Sequence, residues 1–476
     1  MSYLLQKQIT AVKPFAALCC ALVSGSIAEE VCTPGKDAAS ALAKPARFEI
    51  TDRRAAPLPA PMVEPWKVVP LDRNAGGAWV VAGDLDGDGG IEIVSAQNMC
   101  WTNGPHYKGD VPVQHASAAA AQKLDGTVLW TWGEPGKGRR ELGHDVACQI
   151  YDWDGDGRNE VVIIGADELV ILDGATGTLR KSYPIPPGAS DCVIAADLTG
   201  SGHPRDFILK DRYLQMWGMR SDGKILLESN RCSPVKNPWH LGHRPLPLDM
   251  DGDGRDEVFA GFFMLDADGR KLWDVRGASP KQIIFVHMDS NALIQRGGDD
   301  PADWLFAFTY CGGLGMGVVN GKGEIQREVT AHHFEAISPG NIFPDAKGPH
   351  LLVDIDHLPA NQSRVELFDA ELNLLGRIHL DYGRFHRLLD WDGDGFDDIV
   401  IADHGAIYNH RGEKIAALDL QGQRGRVIHS ADLTGDAVRD LLIVGDKLDK
   451  VFLFKNPAGK PQPGNPLGSG ANFTNY

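Results

Sequence analysis

HDVACQIYDWDGDGRNEVVIIGADELVILDGATGTLRKSYPIP, residues 144–186, decides the fold of this 476-residue chain. Within it, DWDGDG sets Asp152, Asp154 and Asp156 at alternate positions, with glycines that let the backbone turn tightly. Three such carboxylates present hard oxygen ligands around one point, which suits Ca2+. An EF-hand uses a similar loop, but there a helix enters, a helix leaves, and a bidentate Glu closes the loop at its twelfth position. Here the flanks are VACQIYD and NEVVIIG, runs of strand length and composition, and the next acid, Glu160, comes at the ninth position. The reading is therefore strand, calcium loop, strand, and ELVILDG, the turn ATG and TLRKSYP add two more antiparallel strands. Four strands in about 45 residues is the size of a propeller blade.

The signature recurs at Asp84, Asp249 and Asp390. Eroded versions stand at Asp197 (DLTGSG) and Asp432 (DLTGDA), where a polar hairpin without metal is the simpler reading. The expected ligands are Asp84, Asp86, Asp88 and Glu92; Asp152, Asp154, Asp156 and Glu160; Asp249, Asp251, Asp253 and Glu257; Asp390, Asp392, Asp394 and Asp398. Counting units by first strand gives AWVVAGD, VACQIYD, DCVIAAD, RPLPLDM, QIIFVHMD, FEAISPGNIFPD, RLLDWD and RVIHSAD, with the loop lost from the fifth and sixth. The expected fold is all-β, an eight-bladed β-propeller over residues 66–456 with calcium loops between first and second strands; seven blades follow if the fifth or sixth unit is misread. The last unit shows three strands, so ARFEITD or WKVVPL, in or just after the N-terminal segment 29–65, is expected to supply its outer strand and close the ring. Residues 457–476, opening with NPAGKPQPGNP from Asn456, read as a flexible tail.

Composition agrees with a turn-rich β protein, at 55 Gly and 29 Pro. The net charge of −17 is hostile to nucleic acid and to anionic membranes, although much of it sits in loops where Ca2+ would offset it. Lys7 and Lys13, the apolar stretch from Phe15 to Val23, and Ser26-Ile27-Ala28 read as a secretory signal over residues 1–28. The apolar run is too short to span a bilayer. A secreted, extracellular or periplasmic, monomeric protein is expected, whose six remaining cysteines an oxidising compartment would permit to pair.

If the loops join strands one and two, they share one face, and the opposite face collects the beginnings of first strands together with the loops between strands two and three. Histidine concentrates there: His144, His240 and His243, His332 and His333, and His386, with Arg384 and Arg387 beside the last. An insertion in unit one brings Trp101, His106, Tyr107, Lys108 and His115, and unit five brings Tyr310. Such a funnel has groups for proton transfer and for holding an anion or a sugar ring. Any one histidine in this set is more often a surface or packing residue; the convergence of four units is what points to chemistry. No Gly-x-Ser-x-Gly elbow is present, and CGGLGMG lacks the setting of a phosphate loop.

With these loops the chain resembles calcium-loop propellers built from FG-GAP or VCBS repeats, as in integrin α-subunits. It resembles more closely the rhamnogalacturonan lyases of polysaccharide lyase family 11, through GHDVACQIYDWDGDGRNEVV, HLGHRPLPLDMDGDGRDEVFAGFFMLDADGRKLW and HHFEAISPGNIF. The resemblance implies β-elimination at a uronic acid, in which the C5 proton is removed, the C6 carboxylate is neutralised and the C4 oxygen is protonated. It places His144 as base or acid with His240 or His243 as partner, Arg384 or a funnel Ca2+ on the carboxylate, and Trp101, His106, Tyr107, Tyr310, His333 and His386 around an acidic polysaccharide. Two other readings stay open: a non-catalytic calcium-stabilised propeller that binds glycan or protein, and a glycoside hydrolase, which would use paired carboxylates.

Overall fold

The structure is a computed structural model. It describes residues 46–474 apart from 102–112, 142, 144, 146–147, 230–240, 276–286, 299, 312–314, 331, 347, 356–357, 360–361, 463 and 465–466. The expected signal segment lies outside these residues.

Among the described residues the fold is all-β, with a single short 3-10 turn at Pro301–Asp303. The strands form four-stranded antiparallel units that follow one another along the chain, two of them with an added parallel fifth strand, and all but the fifth begin with a strand predicted as a unit opening. The second unit is typical: Cys148–Tyr151, Glu160–Ile164, Glu168–Asp173 and Leu179–Pro184 pair in that order. Its first three strands are almost wholly buried, whereas LRKSYP at the outer edge is mostly exposed. Burial on both faces explains why the first two strands of this unit, CQIY and EVVII, are mostly apolar.

First strands of neighbouring units pack side by side, as Trp79–Gly83 does on Cys148–Tyr151 and Met288–Gln295 on Phe334–Gly340. An apolar cluster fills the space between each unit and the next. The cluster of Val80, Ala82, Ile93, Val427, Leu442 and Val451 joins the first unit to the eighth. Tryptophan N–H groups cross the same boundaries: Trp79 donates to the Cys148 carbonyl (2.7 Å), Trp130 to Gly174 (2.7 Å) and Trp153 to Arg205 (2.9 Å). Each ring therefore fills apolar space while its polar atom stays satisfied.

Of the two segments expected to complete the last unit, WKVVPL does so, with Lys67–Pro70 antiparallel to Lys450–Phe454. ARFEITD instead places Phe48–Thr51 as a parallel fifth strand beside Leu374–His379 of unit six. The first described strand of unit five is Met288–Gln295, which overlaps the expected QIIFVHMD only at its end; residues 282–286 of that run lie outside the described residues. The apolar run attracted the reading, but the paired strand is the polar MDSNALIQ, so Asp289 sits at its beginning rather than its end.

The C-terminal tail is not loose. Gly468 N donates to the Asp432 carbonyl, Ser469 exchanges bonds with Ala82, and Asn472 bonds both backbone atoms of Ala195 at 2.7 and 2.8 Å. Phe473 stacks on His429 with centroids 3.4 Å apart, meets Trp79 edge-on at 5.8 Å and exchanges two bonds with Gln149. Arg387 donates to the Thr474 carbonyl at 3.0 Å. These partners lie on the first strands of units one, two, three, seven and eight, so nothing local in the tail announces its order.

Candidate active site

Asp289, at the start of the first strand of unit five, is the hub of a buried cluster. His287 Nε2 lies 2.9 Å from its Oδ1, His243 Nε2 3.6 Å from the same atom, and His333 Nε2 2.9 Å from Oδ2. His243 comes from unit four and His333 from the entry to unit six. The other ring nitrogen of His243 is fixed by Asp145 Oδ2 at 2.5 Å, which aims Nε2 at Asp289. Asp145 also lies 3.3 Å from Arg212 and 3.9 Å from Lys210, and Lys210 is paired with buried Asp191 at 2.7 Å. On the other side His333 reaches Glu335 at 3.2 Å, and Glu335 holds Arg384 at 2.6 Å. A continuous chain of charge thus runs from unit three to Arg384, a third of whose side chain is exposed.

Burial opposes ionisation of Asp289, but His287, His243 and His333 outweigh it and hold the carboxyl well below the usual range. Burial likewise opposes charge on His287 and His333, yet their acidic and polar neighbours raise both imidazoles above the ordinary value. Asp145 is held low against its own burial by His243, Arg212 and Lys210. Tyr213 lies against the cluster, 4.2 Å from His287 and 5.7 Å from His243 between ring centroids, and accepts a 3.0 Å bond from Arg212 Nε.

His243, His287 and Asp289, and likewise Asp289, Cys311 and His333, bring ligand atoms within 4.8 Å of one another. Imidazole nitrogens, a carboxylate and a thiol make a donor set of borderline softness, more suited to a transition metal than to Ca2+. The Asp145 bond to His243 Nδ1 is the support that a metal-bound histidine usually has. Both observations fit a divalent cation at this place.

The four DxDGDG loops adopt a common geometry. In each the first aspartate accepts backbone N–H groups from both glycines, as Asp249 does from Gly252 (2.7 Å) and Gly254 (3.1 Å). The glycines have φ near +80° (78° and 86° at Gly252 and Gly254), a conformation other residues adopt only with strain. The ninth-position acid turns back onto the loop: Glu92, Glu160, Glu257 and Asp398 accept from Leu85, Trp153, Met250 and Trp391. Asp84, Asp86 and Glu92, then Asp152, Asp154 and Glu160, then Asp249, Asp251 and Glu257, bring their oxygens together. The third aspartates, Asp88, Asp156, Asp253 and Asp394, bond a following backbone N–H instead. Lys123 lies 2.7 Å from Asp86 and Arg180 3.2 Å from Asp154, so side-chain cations already approach the first two loops. Among the described residues no lysine or arginine pairs with the loop acids of the other two. There burial, with repulsion from neighbouring loop acids, pushes Glu257 and Asp398 each up to about 7.

Two expected substrate contacts are corrected by the packing. Tyr310 is fully buried between Phe262 and Phe308, and its hydroxyl donates to Glu328 at 2.7 Å. Tyr310→Phe is therefore expected to leave turnover unchanged and to cost about 1 kcal/mol of stability by removing the bond to half-buried Glu328; thermal melts and initial rates check both. His386 is also fully buried, bonded to Ser338 Oγ at 2.9 Å and lying 3.4 Å from Asp354. His144, His240, His106 and Tyr107 lie outside the described residues, as does the Trp101 side chain. Asp145, Asp191, Lys210, Arg212, Tyr213, His287, Asp289, Cys311 and Glu335 were not among the residues expected from the sequence. Asp145 and Asp191 could have been found by applying the same strand-start rule to every titratable residue.

With this geometry in place, comparison with known proteins narrows the reading. Residues 71–181 match the family model "Rhamnogalacturonan lyase family 11, C-terminal domain". The chain is 26% identical over 309 residues to the rhamnogalacturonan endolyase YesW of Bacillus subtilis, covering 48% of each, and 25% identical over 245 residues to the exolyase YesX of the same organism. It therefore spans about half the length of the curated relatives it matches or less. The crystal structure of YesW superposes with a TM-score of 0.61 at 20% identity, over 84% of this chain and 77% of that one. A rhamnogalacturonan lyase from Bacillus licheniformis superposes at 0.58, over 82% and 75%. The all-β fold is thus shared with these lyases.

Proposed function

We propose that this chain is a polysaccharide lyase that cleaves a uronic-acid-containing polysaccharide of the rhamnogalacturonan type by β-elimination. The observation that carries the reading is the convergence of His243, His287 and His333 on Asp289, with Arg384 joined to them through Glu335. Similarity to rhamnogalacturonan lyases supports it from a separate direction.

Elimination needs a base for the C5 proton, positive charge for the C6 carboxylate as the carbanion forms, and a proton for the C4 oxygen. Arg384, about a third of whose side chain is exposed and which Glu335 orients, is assigned to the carboxylate. His333 and Tyr213, at the less buried edge, are assigned to proton transfer, with His144 and His240 adjoining the cluster in sequence. His243 and Asp145 position the group. A divalent cation held by His243, His287 and Asp289 would add positive charge at the same carboxylate and leave proton transfer to His333.

The scaffold in this reading is a closed eight-bladed propeller of FG-GAP type, secreted and monomeric, with neither nucleic acid nor membrane as partner. No helix among the described residues is long and apolar enough to cross a membrane. Ca2+ in the DxDGDG loops is assigned a structural role, because each loop closes a hairpin within one unit. Removing Ca2+ with a chelator is expected to lower the thermal midpoint, each site contributing about 2.7 kcal/mol when Ca2+ stands at about 100 times its Kd. Asp249→Ala and Asp390→Ala should remove more of this effect than Asp84→Ala, where Lys123 already offsets charge. An unchanged melt after chelation would remove the structural role.

The activity is tested by incubating the protein with a panel of uronate polysaccharides and following ultraviolet absorbance of an unsaturated uronate. A rise is expected on a rhamnose–uronate polymer. Reducing sugar without a rise would mean hydrolysis, and retention without product would mean a binding protein.

A further inference from the structure

A polar cavity lies where units six, seven and eight meet, with Arg384 in its lining. Its volume is about 310 Å3, at the lower end of the range for small-ligand pockets. Arg384, Arg424 and Arg426 line it together with Tyr382, Asp354, Asp403 and Asp446. We propose that it binds the carboxylate of a second uronate of the same polysaccharide, and so sets the register of the sugar chain over the histidine cluster. This rests on the lyase reading and names a part of the substrate that the cluster itself does not touch.

The three guanidiniums are not equivalent. Arg384 is held by Glu335 at 2.6 Å and Arg424 by Asp446 at 3.1 Å. Arg426 donates to the Glu141 carbonyl and pairs with no carboxylate among the described residues. It is disfavoured as a cation by burial and by Arg384 and Arg424 nearby, while Glu141 and Asp446 offset this in part. A guanidinium in that position gains from an incoming carboxylate, which its fork can hold through two hydrogen bonds. Beside it Tyr382 is 39% exposed, with Arg424 over its ring at 4.1 Å, offering a flat edge for a pyranose. Asp403 keeps a buried oxygen, Oδ1, without a partner, and such an atom is satisfied by a sugar hydroxyl.

The acids select the ligand class. Asp354, Asp381, Asp403 and Asp446 all line the same cavity, so a doubly charged phosphate meets four carboxylates as well as three arginines. A singly charged group on a ring of hydroxyls matches both sets. On a chain of net charge −17, a local cluster of arginines is what an acidic polymer needs for close approach. Arg384 stands at the boundary between the two places: it lines this pocket and reaches the histidine cluster through Glu335 and His333, so the second uronate is assigned to Arg424 and Arg426 on the far side of the same pocket.

The test is calorimetric titration of the full-length protein and of Arg426→Gln with tri-galacturonate and with neutral galactotriose, beside steady-state kinetics on the polymer. The proposal expects at least a tenfold loss of tri-galacturonate affinity, no change for the neutral sugar, and a tenfold rise in KM with kcat within threefold. Equal affinity of the variant and the parent, or equal loss for both sugars, overturns it. If Arg426→Gln does not fold, Arg424→Gln is read against the same criteria. Arg426-dependent binding in a protein that forms no unsaturated product would overturn the lyase reading and leave the pocket standing; unsaturated product with Arg426-independent binding would do the reverse.

Discussion

Asp289→Asn is expected to lower kcat on a uronate polymer by 100-fold or more, in line with the about 10²–10⁴-fold typical of a lost proton-transfer arrangement. The substitution preserves shape and removes the charge around which three imidazoles are gathered. Without it, burial is no longer opposed at His287 and His333, and both fall toward the neutral form. The positive charge available to a uronate carboxylate falls with them. Removing one partner of a buried charged set costs about 3–5 kcal/mol of stability, so the rate is to be measured well below the variant's melting temperature. A folded Asp289→Asn protein within tenfold of the parent rate would remove the cluster from the mechanism. Asp145→Asn supplies the contrast, because it loosens His243 without touching Asp289 and should cost less.

Deleting residues 467–476 should produce the largest loss of stability, exceeding that of Phe473→Ala, for which about 2 kcal/mol is expected from a half-buried aromatic ring. The tail ties the first strand of unit one, at Ala82, to the first strand of unit eight, at Asp432 and His429, and adds bonds to units two, three and seven. A ring of units is weakest where its ends meet, and the tail spans that seam. His429 makes the effect depend on pH. Burial, reinforced by Arg387, pushes its imidazole down to about 3 against an ordinary 6.5, with the bond to the Val80 carbonyl opposing. The unfolded chain therefore takes up a proton that the folded protein refuses. This contribution is complete above pH 6.5 and is lost as pH falls toward 3, amounting to about 4 kcal/mol at the acid end. Melts of the parent and of His429→Asn across that window should converge as pH falls. Parallel curves would show that His429 is not the group responsible, and an unchanged midpoint on deleting the tail would show that it closes nothing.

How much of the site could be read in advance follows from where its information lies. His243 and Arg384 were visible because the DxDGDG loops at Asp249 and Asp390 mark the far end of first strands, and counting back from each loop locates the residues that begin them, whereas His333 was read from the apolar run FEAISPG that follows it. That ruler fails in unit five, which has no loop, and there the apolar QIIFVHMD was taken for the strand that MDSNALIQ forms. Asp289 was misplaced by that shift. Tyr310 fails for another reason: at the end of a strand the alternation of side chains decides between rim and core, and its ring turns inward to Phe262 and Phe308.

The sequence by itself determined the all-β class of fold and where the glycine-bearing turns fall along the chain. Both are local: a turn needs its glycines, a buried strand needs its apolar run, and each lies within a few residues. Only the tertiary structure decided which polar groups meet. The hub at Asp289 joins residues 98 positions apart through Asp145 and His243, and the tail bonds Asn472 to Ala195 across 277 positions. Such contacts depend on burial removing water from groups that carry no local signal, so their partners are set by packing rather than by neighbours in the chain.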